Sequence, residues 1–108
     1  MKHYKVRITS SAEEDLFDLY NYISRHDCEE NAASVLDHLE TLVLSLDQNP
    51  QRGHVPPELD RKGIKDYKEI HFKPYRVIYE IIKNDVVILI CVDGRRDMQS
   101  LLERRLLR

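Results

Sequence analysis

Tyr4, Val6 and Ile8 alternate with Lys5 and Arg7, and that period of two predicts a half-buried strand. The period then lengthens to three and four residues. Leu16, Leu19, Tyr20 and Ile23 fall on one helical face. Ser10-Ser11-Ala12-Glu13-Glu14 opens that helix, because a serine with a glutamate three residues on forms a capping box and early acids suit the helix dipole. After a polar turn near Arg25 to Glu29, Ala32, Leu36, Leu39, Val43 and Leu46 make a second stripe, which Asn49-Pro50 stops. Two helices across a short turn predict an αα-hairpin. A stripe this short reads as a core face rather than a coiled-coil seam.

Residues 50–66 carry Pro50, Gly53, Pro56, Pro57 and Gly63 and predict one long loop, the kind of segment that carries function or moves. Three strands are expected next: Tyr67–Phe72, Tyr75–Lys83 and Val86–Val92. Lys73-Pro74 and Asn84-Asp85 are the turns of a tight antiparallel meander. The last strand is apolar on both faces and is therefore expected at the centre of the sheet. Asp97 N-caps a final helix with Met98, Leu101, Leu102 and Leu106 at helical spacing. A helix so short is marginal alone and must dock on its own domain or on a partner. The order β-α-α-β-β-β-α predicts an α+β fold, with a helical hairpin packed on one face of a mainly antiparallel four-strand sheet. Residues 1–108 fit one domain.

Composition narrows the class. With 42% hydrophobic and 33% charged residues, the chain is of ordinary globular type. No apolar run approaches the roughly 20 residues that span a bilayer, so no membrane role is expected. The first residues lack the apolar segment of a signal peptide, and a cytoplasmic location is expected. Cys28 and Cys91 are expected to be free and reduced. His3, His26, His38, His54 and His71 stand in no ligand spacing, so neither metal nor cofactor is expected. The net charge of −2 hides a division. Residues 1–60 hold five Lys/Arg against twelve Asp/Glu, a net of −7; residues 61–108 hold twelve against seven, a net of +5. The basic half suits a polyanion or an acidic protein partner.

Candidate chemistry gathers where the apolar strand ends in Val92-Asp93-Gly94-Arg95-Arg96-Asp97. Strand alternation places Glu69 and His71 on one face, with Arg76, Ile78 and Glu80 together on one side of the next strand. The open sheet face is thus expected to collect Arg76, Arg95 or Arg96, with His71 and Glu69 beside them. Arginine forks recognise phosphate or carboxylate in two places, and an imidazole and a carboxylate can move protons. The plainer reading pairs these arginines with Glu80, Asp93 and Asp97 at the surface. Exposed pairs contribute only about 0.2–1 kcal/mol, so replacing Arg76 or Arg96 is expected to leave stability nearly unchanged.

Tyr67 to Asp97, YKEIHFKPYRVIYEIIKNDVVILICVDGRRD, resembles the RelE/ParE superfamily of bacterial toxins. The likeness lies in a Tyr-Arg-x-x-Tyr strand (Tyr75 to Tyr79), a tight turn, an apolar strand and the basic exit Arg95-Arg96. The Ser10–Glu14 helix start and the loop NPQRGHVPPEL, Asn49 to Leu59, are similar to the ParE branch. The resemblance implies a RelE/ParE-like toxin of a type II toxin-antitoxin, plasmid-stabilisation type system, held in a hetero-oligomer by a cognate antitoxin. ParE-like members poison DNA gyrase and are not enzymes; RelE-like members are endonucleases that cut mRNA on the ribosome. Arg76 matches the arginine that the nuclease branch uses in Tyr-Arg, and Arg96, or Arg95 one step away, matches its arginine at the last strand's exit. His71 and Glu69 occupy positions that are lysines in that branch. Leu101 and Leu102 stand where it has a tyrosine. Catalytic candidates under the nuclease reading are therefore Arg76, Arg96, His71 and Glu69; target-binding candidates under either are Arg76, Arg95 and Arg96. The departures favour the ParE-like reading. A third reading is a non-toxic, decayed member that only binds its antitoxin.

Overall fold

The computed structural model describes residues 3–107. Strand β1 (Lys5–Ile8) leads into helix α1 (Ser10–His26), which turns back through α2 (Glu29–Leu44). Helix α1 is N-capped by Thr9 rather than by one of the serines: the Thr9 hydroxyl accepts from the Ala12 amide and donates to the Ile88 carbonyl at 2.9 Å. That second bond crosses to another strand, so tertiary contact chose among three adjacent residues capable of capping. The Cys28 thiol caps α2 at the Asn31 amide.

The stripe of α2 packs as its spacing predicts. Ala32, Leu39, Val43 and Leu46 are buried, Leu46 within the short 3₁₀ turn Ser45–Asp47, while Leu36 is half-buried. The stretch 50–66 is not a structureless loop. It holds a 3₁₀ turn, Pro50–Arg52, and a single helical turn α3, Pro57–Asp60, whose Leu59 is fully buried. Pro50 and Pro57 stand at first-turn positions, where a missing N–H costs nothing.

Strands β2 (Lys68–Phe72), β3 (Tyr75–Ile82) and β4 (Asp85–Asp93) form the expected antiparallel meander, and α4 (Met98–Leu106) follows. The sheet order is β1-β4-β3-β2, with β1 parallel to β4. The doubly apolar β4 is thus interior, as its composition predicts. Between Ile78 and Tyr79 the partner in β4 jumps from Ile90 to Ile88, leaving Leu89 as an extra residue.

Two cores result, one on each side of the sheet. Ala12, Leu39, Val43 and Leu46 meet Ile70, Val77, Val86 and Ile88 on the hairpin side. Leu59, Met98, Leu101 and Leu102 meet Ile78, Ile90 and Val92 on the other. The second sheet face, expected to be open, is therefore largely covered by α3 and α4. The final helix docks on its own chain because the apolar faces of β3 and β4 would otherwise stand in water. No helix among the described residues is long and apolar enough to cross a membrane.

Candidate functional site

Arg76 does not present a free charge. It is 9% exposed and lies between two carboxylates. Its Nε and Nη2 donate to the two oxygens of Glu69 at 2.6 and 2.9 Å. Its Nη1 and Nη2 donate to the two oxygens of Glu58, each at 2.8 Å. Glu69 is fully buried, and Glu58 comes from the first turn of α3. Hydrogen bonding to Arg76 holds the Glu58 carboxyl below the usual glutamate range, against the opposing effect of burial. The Arg76 pKa is raised, first by Glu58 and then, despite burial, by Glu69. Alternation placed Glu69, His71 and Arg76 on one face correctly, and His71 stands directly opposite Arg76. The expectation of an exposed arginine at position 76 is corrected: it is buried between Glu69 and Glu58, which the fold delivers from a distant turn. Gly94 makes room for this arrangement, since a Cβ there would lie 2.5 Å from Arg76 Cδ.

Two imidazoles flank the buried carboxylate. His54 Nε2 lies 3.3 Å from Glu69 Oε2, and His71 Nε2 lies 3.3 Å from Glu69 Oε1. His54 is fixed by a backbone pair with Glu69, N to O at 3.2 and 2.7 Å in the two directions. Gly53, just before it, gives space to the Tyr79 hydroxyl, which donates to the Pro50 carbonyl at 2.6 Å and ties the loop to the sheet. The sequence spacing of the histidines suggested no constellation. The fold brings His54, Glu69 and His71 together, with one potential ligand atom from each within 4.8 Å of the others.

Arg95 and Arg96 leave the end of β4, and both are exposed. Arg95 is engaged by Asp93, through its backbone amide at 2.9 Å and its side chain at 2.6 Å. The same bonds depress the Asp93 pKa. Arg96 makes no hydrogen bond or ion pair among the described residues, and its charge acts on Asp93 only at longer range, as a smaller contribution to the lowering of that carboxyl. Both line a groove of about 660 Å³ between α1 and the exit of β4, with Leu19, Ile23, Cys91 and Val92 as apolar lining and Tyr22 and Tyr75 beside them. Asp15 at this groove accepts the Cys91 amide at 3.0 Å and both terminal nitrogens of Arg105 at 3.1 Å. Arg105 also donates to the carbonyl of the bulged Leu89. Neither Asp15 nor Arg105 carries any local signal of this role, because each sits on a helix face read only for its apolar spacing. Leu101 and Leu102 are buried core, not surface positions.

A family model described as ParE toxin of type II toxin-antitoxin system, parDE, matches residues 6–98. Among curated proteins no match to the sequence is found. Solved structures with the same fold include a chromosomal ParDE toxin-antitoxin system of P. aeruginosa, at TM-score 0.71 and 16% identity, covering 84% of this chain and 96% of that one. A RelBE toxin-antitoxin complex from Mycobacterium tuberculosis aligns at TM-score 0.61 and 23% identity, over 84% and 98% of the two chains. The toxin RelE of E. coli, in a doubly substituted free form, aligns at TM-score 0.64 and 14% identity, over 97% and 99%. At these identities the structural likeness concerns the fold.

Proposed function

Because the chain belongs to the ParE toxin family of type II toxin-antitoxin systems, we propose that it arrests bacterial growth by poisoning DNA gyrase and is neutralised by a cognate antitoxin. The observation that carries the gyrase reading is the state of Arg76. A nuclease needs basic groups free to meet a phosphodiester, and here the Tyr-Arg arginine is consumed by Glu58 and Glu69. Glu69 and His71 stand where the nuclease branch has lysines, and no tyrosine follows Tyr79. What remains to meet an anionic or acidic target is Arg96, with Arg95 partly held by Asp93. A site at a strand end is better fixed than one on a free loop. The groove beside these arginines, lined by apolar side chains together with Asp15, Asp18 and Asp93, is a surface that an antitoxin segment can cover together with them.

Induced expression in a bacterium tests the reading, with DNA supercoiling and mRNA integrity followed in the same cells. Growth arrest with disturbed supercoiling and intact mRNA is expected, and Arg96→Ala should lose the arrest at an unchanged melting temperature. Cleaved mRNA with undisturbed supercoiling would instead assign the chain to the ribosome-dependent nuclease reading. Unimpaired growth would leave only a binding partner for the antitoxin. Co-expression with the product of the adjacent gene should restore growth and yield a complex that survives purification.

A further inference from the structure

We propose that His54, Glu69 and His71 form a binding site for one divalent transition-metal ion of the zinc class. Two imidazoles and one carboxylate are a ligand set that open zinc sites use, with water in the fourth position. The spacing fits. His54 Nε2 lies 3.3 Å from Glu69 Oε2 and His71 Nε2 lies 3.3 Å from Glu69 Oε1, and one ligand atom from each residue lies within 4.8 Å of the others, near enough for one ion at about 2.0–2.2 Å from each to join them after small side-chain rotations. Both contacts are longer than the ~2.7–2.9 Å of a charge-assisted hydrogen bond.

The ligands are also held in place. Glu69 and His71 lie two apart on β2 and share a face, while the backbone pair between His54 and Glu69 fixes the third ligand against the strand edge. Arg76 donates one hydrogen bond to each of the two Glu69 oxygens, the kind of outer contact that orients a metal-bound carboxylate. The buried Glu69 carboxylate supplies the negative charge to which a cation would bind. Glu69 is buried whereas the side chains of His54 and His71 are 57% and 36% exposed, so an ion can enter from solvent and keep a water on that side. Imidazole with carboxylate suits zinc and its neighbours better than magnesium or calcium, which take oxygen ligands.

The full chain, stripped with a chelator, is titrated with Zn²⁺ by calorimetry and with Co²⁺ by absorption. One ion per chain is expected, with Co²⁺ giving the d–d bands of a four- or five-coordinate nitrogen/oxygen site and no thiolate charge-transfer band. His54→Ala and His71→Ala should each weaken binding more than about tenfold, the lower end of what loss of even a supporting partner costs. Both side chains are at the surface, so these variants should keep the native circular dichroism. His38→Ala, whose ring stacks on Phe72 instead, should bind as the parent does. Absence of saturable one-to-one binding, a thiolate band from Cys28, or affinity unchanged in both histidine variants would each overturn the proposal.

Discussion

At the scale of single residues, Arg76 is the group whose environment most changes its meaning. Four of its five N–H bonds are directed at Glu58 and Glu69. Removing it leaves two carboxylates facing each other with little water, and breaking a buried ion cluster costs about 3–5 kcal/mol. Arg76→Ala is therefore expected to lower the urea midpoint by an amount in that range. Arg76→Lys should recover only part, because an ammonium cannot span both carboxylates as a planar fork does. A midpoint within experimental error of the parent would mean that the cluster contributes nothing. For the same reason a loss of toxicity in Arg76→Ala says little about target contact, and Arg96 is the cleaner probe. The two thiols differ as sharply. Cys91 is 1% exposed, and burial, with Asp15 adding to it, pushes its pKa up to about 12. Cys28 is exposed at the start of α2. A thiol reagent at neutral pH should label one cysteine in the native chain and both in denaturant. Two equivalents taken up natively would mean that the sheet opens around Cys91.

At the scale of elements, the segment from Pro50 to Gly63 separates what sequence reveals from what it withholds. The strands and the helical hairpin were legible because their signals are local: a period of two, a period near four, a turn pair, a cap. Only the first cap was misplaced, by one residue, because Thr9 reaches Ile88. The proline-rich segment has no such period. Its order comes from Leu59 in the second core, Tyr79 on Pro50, His54 on Glu69 and Glu58 on Arg76, all contacts with distant residues. The candidate site shares that history. The residues on β2 and β3 were readable by alternation, whereas Glu58 and His54 were not. The one-turn helix α3 should consequently be sensitive to acid. Glu58 has a lowered pKa in the folded chain, so its contribution to stability is complete above the ordinary glutamate value of about 4.3 and is lost as pH falls through the folded value. The parent should lose stability on acidification faster than Glu58→Gln, with the two curves converging at low pH. Parallel curves would show that Glu58 is not coupled to folding.

At the scale of the whole molecule, one sheet is shared by two cores. Residues of β3 and β4 serve both: Val77 and Ile88 face the hairpin, while Ile78 and Ile90 face α4. Charge is divided along the same lines. The helical hairpin carries most of the acids of the first sixty residues, and the later elements carry the basic surplus. A chain of this length could in principle lose one side before the other. Several bonds argue against that. Asp15 on α1 holds Arg105 on α4 and the Cys91 amide of β4, linking the first helix, the central strand and the last helix. Leu39 and Leu102 test the point, as both are at most 1% exposed and lie in opposite cores. Truncating either to alanine should cost about 2–5 kcal/mol. In a single cooperative unit, Leu39→Ala and Leu102→Ala each shift one common thermal transition, and the effects add in the double variant because the sites share no partner. If Leu102→Ala instead split the melt into two steps, or lowered α4 signals while the hairpin held its midpoint, the second core would be a separable layer rather than half of one domain.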